Sequence, residues 1–308
     1  MRVVLLVVFG LWWLASAAKL SGNGKRFNID LQFRGQRIPK QLKSAFPSAA
    51  KRWTSVITKD YATSFCFFRG TTSCGVKFTQ TMCVDDLLIF IQVKKIDGLG
   101  GVLAQAGPCF WDELGKARLG IMYFDVADAN SLWKTKRWES VVLHEMGHVL
   151  GLGSLAWDLF DLRTSNDPYL YLGAQGNLGN RAVGGPEPQA ILEDVGESST
   201  VGSHWKESVY GNELMTGYVA KPRVKMPLSL LTVKALQDLG YEVDETKADP
   251  YQVKPVNAKR TKNSHDKLSL GNDMLKFTPN NRRRLALEGE SIIKTGREQD
   301  YADQKSFM

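Results

Sequence analysis

The chain has 308 residues, of which 43% are hydrophobic and 23% charged, enough for one large globular domain or two ordinary ones. Its net charge of +8 does not indicate a nucleic-acid-binding domain, because residues 247–308 hold 13 Lys and Arg against 8 Asp and Glu and so carry most of the excess. We therefore expect a nearly neutral folded domain over residues 19–246, a basic, disordered tail over 247–308 and no nucleic-acid partner.

Residues 1–18 are typical of a secretory signal peptide. Arg2 precedes an apolar run over 3–14, and small residues follow up to Ala18. The run is too short to span a bilayer comfortably, so we predict cleavage near Ala17 or Ala18 rather than a membrane anchor. The mature protein is therefore expected to be secreted into an oxidising extracellular setting, without stable insertion in a membrane.

The apolar patterns that follow predict a mixed α/β domain. Alternating or continuous apolar runs predict strands at 27–33, 87–93, 102–106 and 119–125, the third ended by Gly107 and Pro108. Apolar residues at helical spacing predict helices at 39–58, 136–150 and 228–239, the first kinked at Pro47 or starting after it. Residues 154–203 are rich in Gly, Pro and Asn without a sustained period, which indicates a long insertion of loops.

The chain has four cysteines: Cys66, Cys74, Cys83 and Cys109. An even number in an exported protein indicates two disulfides, and three pairings are possible. We expect Cys66 to pair with Cys74, closing a short loop, and Cys83 to pair with Cys109, joining neighbouring strands. A cysteine-based zinc site is disfavoured because no Cys-x-x-Cys pair is present.

The motif His-Glu-Met-Gly-His-Val-Leu-Gly at residues 144–151 indicates a metal site. On a helix, His144 and His148 lie one turn apart, about 6 Å along the axis, so both imidazoles project from one face. Such a pair suits a catalytic zinc ion, which takes three protein ligands and leaves a place for water. Glu145 follows the first histidine and can reach that water as a general base.

The third ligand decides the class of the site. A histidine three residues beyond Gly151 would give a compact motif, but Ser154 occupies that position. Two kinds of donor remain, a distant histidine and a carboxylate. The histidine is His204, 56 residues after His148. The carboxylate candidates are Asp158, Glu187, Glu193 and Glu197.

His204 is favoured because Met215 follows it, in Glu213-Leu214-Met215-Thr216-Gly217, a turn-prone stretch before the last predicted helix. Here the chain resembles the metzincin zinc peptidases and, within them, the leishmanolysin-like family. In that family a glycine turns the chain sharply after the second histidine, a long insertion follows, a distant histidine completes the site, and a methionine lies on a tight turn beneath the metal. The resemblance assigns these roles to Gly151, the 154–203 insertion, His204 and Met215.

The resemblance covers residues 27–243 and implies an α/β (α+β) metzincin-like fold. That fold has a twisted mixed sheet, a zinc-binding active-site helix and a loop-rich lower subdomain ending in a C-terminal helix. It also implies that a protein or peptide substrate binds in an extended conformation by pairing with an edge strand, here at Leu103, Ala104 and Gln105.

Together these features predict a secreted zinc-dependent endopeptidase that binds one zinc ion. The alternative is a zinc-stabilised secreted binding or adhesion protein without catalytic activity, which has no use for the carboxylate of Glu145. Calcium binding is also considered at two acidic pairs, although paired acids usually face solvent. These pairs are Asp85 with Asp86 and Asp125 with Asp128.

Overall fold

A computed structural model describes residues 26–254 of the chain. The strands are β1 (Ile29–Phe33), β2 (Phe65–Phe67), β3 (Thr72–Ser73), β4 (Val76–Lys77), β5 (Met82–Val84), β6 (Leu87–Lys94), β7 (Ala104–Trp111) and β8 (Ala117–Asp125). The helices are α1 (Lys40–Lys43), α2 (Ala45–Val56), α3 (Val126–Lys134), α4 (Trp138–Val149), α5 (Ser154–Leu159), α6 (Ala174–Ala182), α7 (Glu207–Tyr210) and α8 (Leu230–Asp238). A short 3-10 helix follows at Glu245–Lys247. Across this range, no helix is both long enough and apolar enough to cross a bilayer.

The central sheet has four strands in the order β1–β6–β8–β7. Strands β1, β6 and β8 run parallel to one another, whereas β7 runs antiparallel to β8 at one edge. Nearly every side chain of β6 and β8 is buried, as expected for strands with both faces covered. The mixed sheet and the surrounding helices confirm the α/β class predicted from the apolar patterns.

Helices α2 and α4 pack on each other in the larger hydrophobic core, and α4 also contacts β7 and β8. The indole Nε1 of Trp53 in α2 donates to the carbonyl oxygen of Leu143 in α4 over 3.0 Å. At the end of α4, a Cβ atom on Gly120 of β8 would lie 2.3 Å from Cγ1 of Val149, so the glycine permits close contact between helix and sheet. These contacts fix the position of α4, the helix that carries the His-Glu-x-x-His motif.

The second face of the sheet is covered by two small antiparallel strand pairs, β2 with β5 and β3 with β4. Phe67 stacks on Phe78, and both belong to a smaller core together with Phe90 and Phe110. This cover explains why β6 and β8 are apolar on both faces.

One disulfide lies within these strand pairs and a second joins them to the central sheet, and the pairing of the cysteines differs from the expected one. Cys66 is bonded to Cys83, its direct partner across the β2–β5 pair, and Cys74 is bonded to Cys109 of β7. The expected pairing of Cys66 with Cys74 and of Cys83 with Cys109 is therefore wrong. The register of β2 against β5, which the sequence did not reveal, determines which cysteines meet.

The edge strand β7 is longer than predicted. The sequence predicts a strand at 102–106 ended by Gly107 and Pro108, but β7 begins at Ala104, one residue after Leu103, and continues through both residues to Trp111. Proline is tolerated on an edge strand, and the register shifts between Pro108 and Phe110. Among the described strands, only β8 pairs with β7.

The predicted helix at 39–58 is two helices, divided at Ser44. Pro47 lies in the first turn of α2, where a missing N–H group leaves no helical hydrogen bond unmade, so the helix continues past it to Val56. The 154–203 segment, expected to consist of loops, contains α5 and α6. The last predicted helix, at 228–239, corresponds to α8, and Ser229 caps it by accepting from the backbone N–H of Thr232.

Residues 247–254 lie on the domain rather than beginning a tail. The carboxylate of Asp249 accepts from the backbone N–H of Leu228 over 3.0 Å, and the N–H of Val253 donates to the carbonyl oxygen of Val183 over 2.8 Å. The folded domain therefore extends past the expected boundary at 246. The expected signal peptide at 1–18 and the rest of the expected tail, 255–308, lie outside the described residues.

Candidate metal centre

Three imidazole rings converge at the end of α4. The Nε2 atom of His148 lies 2.9 Å from that of His144 and 3.1 Å from that of His204, and the Nε2 atoms of His144 and His204 are 3.3 Å apart. All three residues are buried, with at most 1% of their surface exposed. The structure thus brings together two histidines from adjacent turns of one helix and a third from a distant segment before α7, a group that could hold a metal ion.

Each ring also binds a backbone carbonyl oxygen through its Nδ1 atom. These bonds join His144 to Leu214 over 2.6 Å, His148 to Leu152 over 2.6 Å and His204 to Thr200 over 3.1 Å. Because a carbonyl oxygen only accepts, each Nδ1 carries the proton and each Nε2 presents a lone pair. Three facing lone pairs repel one another unless a cation lies among them, so this arrangement favours a metal ion.

Burial keeps the three rings in the neutral form that binds metals. It lowers the pKa of His144 and of His204 well below 6.5, and the neighbouring imidazoles lower both further. Burial also lowers the pKa of His148 to about 4.

The donor set fits zinc. Tetrahedral zinc with bonds of 2.0–2.1 Å to nitrogen separates two ligand nitrogens by about 3.3 Å, close to the measured separations of 2.9–3.3 Å. Three imidazoles with one position left for water are a ligand set of catalytic zinc sites. The hydrogen bonds at Nδ1 supply the outer contacts that orient such ligands.

None of the four carboxylates considered as alternative ligands belongs to the histidine cluster within the described range. Their side chains are engaged elsewhere or exposed: Asp158 pairs with Arg163, Glu187 pairs with Arg181, Glu193 accepts from backbone N–H groups, and Glu197 faces solvent.

Glu145 is completely buried next to His144. Neither of its carboxyl oxygens receives a hydrogen bond from any described residue. Burial raises the pKa of this carboxyl well above 4.5. A buried carboxyl without partners is destabilising by several kcal/mol, so stability does not explain its presence.

Gly151 ends α4 and positions the partner of His148. Its φ of 103° lies in a region that favours glycine, and the N–H of Leu152 donates back to the carbonyl oxygen of Gly147 over 3.1 Å. This turn brings the carbonyl group of Leu152 to the Nδ1 atom of His148.

Met215 packs against the face of α4 at Gly147. A Cβ atom at position 147 would lie 2.8 Å from Sδ of Met215 and 3.1 Å from Cζ2 of Trp53, so the glycine leaves room for both side chains. The N–H of Trp205, the residue after His204, donates to the carbonyl oxygen of Met215 over 3.0 Å. The methionine therefore contacts the helix that carries His144 and His148, and its backbone binds the residue next to His204.

Three of the four acids considered for calcium accept from backbone N–H groups, and Asp85 accepts from the side-chain amide of Asn28. Asp125 accepts from the N–H groups of residues 96, 97, 98 and 127, and Asp128 accepts from that of Gly100. Asp86 accepts from the N–H groups of Asn28 and Tyr61. Asp60 and Asp85 lie near Asp86, but an acidic cluster alone does not indicate a cation.

Sequence reasoning missed Glu213, whose carboxylate is buried in the turn that carries Met215. It also missed the three carbonyl groups that orient the histidines. A glutamate two residues before Met215 was the one visible signal, and glutamate in a turn is usually exposed.

Comparison with known protein families agrees with this site. Residues 67–167 and 188–253, more than half of the chain, match the leishmanolysin family. The matched segments include all three histidines, Glu145 and Met215, and the gap between them contains α6. No match is found among curated proteins. The chain therefore belongs to the leishmanolysin family of metallopeptidases.

Proposed function

We propose that this protein is a secreted endopeptidase that binds one zinc ion through His144, His148 and His204 and uses Glu145 as its general base. One observation carries the proposal: three neutral imidazoles turn their lone pairs toward one point, next to a buried carboxyl without a hydrogen-bond partner.

The chain's own groups divide the work of hydrolysis. A bound zinc ion supplies Lewis acidity, which lowers the pKa of water toward about 7 and polarises a peptide carbonyl. Glu145 accepts the proton of the attacking water and returns it to the leaving amine. The carbonyl groups at Leu214, Leu152 and Thr200 hold the imidazoles in place, so little reorganisation is needed during the reaction.

We further propose that an extended peptide pairs with the edge strand at Leu103, Ala104 and Gln105. Support comes from the position of β7 at the edge of the sheet, where β8 is its partner on one side. Main-chain pairing makes few demands on the substrate sequence.

Secretion is supported by the two disulfides, because such bonds persist in oxidising compartments. The predicted signal peptide at 1–18 is consistent with this location. We propose a catalytic domain that begins after residue 18, extends to at least residue 254 and precedes a basic tail.

A peptidase assay with metal analysis tests the proposal. We expect the wild type to hydrolyse a quenched peptide, to lose activity to a strong chelator and to regain it with zinc. Glu145→Ala should retain zinc and lose at least about 100-fold in turnover. Glu139→Gln is the matched control, because Glu139 is exposed in the first turn of the same helix.

Each result distinguishes between the candidate functions. Hydrolysis at the wild-type rate by zinc-loaded Glu145→Ala would show that Glu145 is not the general base. A wild type that binds zinc but cleaves no peptide would instead support the zinc-stabilised binding protein.

A further inference from the structure

We propose that Glu213 is a positioning residue for the metal centre. Its buried carboxylate fixes the turn that carries both the carbonyl partner of His144 and the side chain of Met215. This inference rests on the proposed zinc site and assigns a role to a residue that contacts no ligand atom of that site.

Four hydrogen bonds converge on the Glu213 carboxylate, which is completely buried. Oε2 accepts from the N–H of Met215 over 2.5 Å. Oε1 accepts from the N–H of Ser229 over 3.2 Å, from its hydroxyl over 2.6 Å and from the hydroxyl of Thr232 over 2.6 Å. Both carboxylate oxygens are thus bound, one to the turn and one to the start of α8.

The two hydroxyl groups act as donors to Glu213, since the oxygen of each accepts a separate hydrogen bond. Ser229 Oγ accepts from the N–H of Thr232 over 3.4 Å, and Thr232 Oγ1 accepts from the indole Nε1 of Trp205 over 2.8 Å. A side chain that accepts four hydrogen bonds and donates none is best supplied by a carboxylate. Ser229 is the N-cap of α8, and the positive end of the helix dipole favours a negative charge there.

The turn held in this way reaches two of the three histidines. The carbonyl oxygen of Leu214, next to Glu213, accepts from Nδ1 of His144 over 2.6 Å. The carbonyl oxygen of Met215 accepts from the N–H of Trp205, which follows His204. A shift of the turn therefore changes the orientation of one ligand and the backbone beside another.

Hydrogen bonds within the turn restrain its backbone as well. The carbonyl oxygen of Glu213 accepts from both the N–H of Thr216, over 3.3 Å, and its hydroxyl, over 3.0 Å. The turn is therefore restrained at its backbone and through the Glu213 side chain. Outer contacts of this kind set how tightly a metal is retained, because they keep the ligands in the binding geometry.

Glu213→Gln tests the inference, because it keeps the size of the side chain and places an NH₂ group where donors converge. The measurement is the rate at which zinc-loaded protein loses its metal to a chromogenic chelator. We expect Glu213→Gln to lose zinc about tenfold faster than the wild type. Cobalt-substituted Glu213→Gln should also show an altered visible spectrum, which reports ligand geometry directly.

Asp249→Asn is the matched control. Its carboxylate accepts from the N–H of Leu228, one residue before Ser229, but does not reach the turn. We expect this variant to lower the unfolding midpoint without changing the rate of zinc loss. The comparison separates loss of stability from loss of ligand orientation.

The outcomes are distinguishable. If the wild type binds no zinc, the proposed function fails. If the wild type binds zinc and Glu213→Gln matches Asp249→Asn in both zinc loss and cobalt spectrum, Glu213 is only a stabilising residue and the inference is overturned. Should Glu213→Gln not fold, Ser229→Ala removes a single donor, and zinc loss at the wild-type rate in that variant overturns the inference equally.

Discussion

The Nδ1 atom of His144 donates to the carbonyl oxygen of Leu214 over 2.6 Å, and this bond joins helix α4 to a turn 70 residues later in the chain. The corresponding bond of His148 is local, because Leu152 is four residues away. The centre is therefore assembled from one contiguous motif and two distant segments. Ligands and outer contacts from those segments depend on tertiary packing.

Replacing His204 with alanine should remove zinc from the protein. Two imidazoles remain, and catalytic zinc sites use three protein ligands, so we expect the zinc affinity to fall at least about 100-fold. Metal content after dialysis against a weak chelator measures this loss. A variant that keeps one zinc ion per chain would show that His204 is not the third ligand.

The control for this variant is Asp158→Asn, which tests the alternative carboxylate that follows His148 most closely in sequence. Asp158 is paired with Arg163 over 2.6 Å and lies outside the histidine cluster. Its loss should leave zinc content unchanged and alter stability by no more than about 1 kcal/mol, as is usual for ion pairs at the surface.

The sequence predicts those parts of the molecule whose structure follows from a local pattern of residues. The spacing of His144 and His148 requires only the period of one helix, and the apolar run at 87–93 needs only burial to become β6. The bond from His144 to Leu214 has no such local signature, since it depends on where a distant turn packs. The same limit applies to Cys66 and Cys83, which meet through strand register.

Helix α6 shows a further limit. Its sequence contains Gly176 and Gly179, which disfavour helices, so local propensity predicts a loop here. A Cβ atom at position 179 would lie 2.7 Å from the carbonyl oxygen of Leu230, so this glycine permits α6 to approach the backbone of α8. Close packing of two helices thus outweighs local propensity.

Gly147→Ala should destabilise the protein although alanine favours helices. The gain in helix propensity is about 1 kcal/mol, whereas overpacking a core typically costs about 1–3 kcal/mol. The added Cβ atom would lie 2.8 Å from Sδ of buried Met215, so we expect overpacking to prevail. Urea denaturation of the zinc-free protein measures the balance, and a more stable variant would show that the methionine can move aside.

A double variant makes this test specific to the contact. Met215→Ala alone should lower the free energy of unfolding by about 2–5 kcal/mol because it leaves a cavity. In Gly147→Ala/Met215→Ala the new methyl group has space, so the loss should be smaller than the summed losses of the two single variants by at least about 0.5 kcal/mol. Strict additivity would mean that the two residues do not press on each other.

The disulfides should differ in their contributions to stability. Cys74 and Cys109 are 35 residues apart and Cys66 and Cys83 are 17 apart, so the first bond removes more chain entropy from the unfolded state. Replacing both cysteines with alanine should lower the free energy of unfolding by about 4 kcal/mol for Cys74–Cys109 and by about 3 kcal/mol for Cys66–Cys83. A peptide map under non-reducing conditions checks the pairing directly, and a peptide linking Cys66 to Cys74 would contradict it.

Asp125 should make stability depend on pH in acid. Burial alone would raise its pKa, but hydrogen bonds from the N–H groups of residues 98, 127, 96 and 97 outweigh that effect and lower it below 3.8. A carboxyl with a lowered folded pKa stabilises the protein fully above its unfolded pKa, about 3.9, and this contribution is lost as the pH falls through the folded value.

At pH 7, Asp125→Asn should therefore be less stable than the wild type by about 2–3 kcal/mol, since the neutral amide oxygen accepts weaker hydrogen bonds than the charged carboxylate. Urea denaturation of the zinc-free proteins at pH 7 and pH 3 should show the difference shrinking in acid, because the wild-type carboxyl then begins to protonate. Asp244→Asn is the matched control: its carboxylate is partly exposed, and the hydroxyl and N–H of Thr246 also lower its pKa. Because solvent screens this charge, its loss should change stability less than the loss of Asp125 at either pH. A difference between Asp125→Asn and the wild type that stays constant from pH 7 to pH 3 would mean that the charge of Asp125 does not hold the 96–98 loop in place.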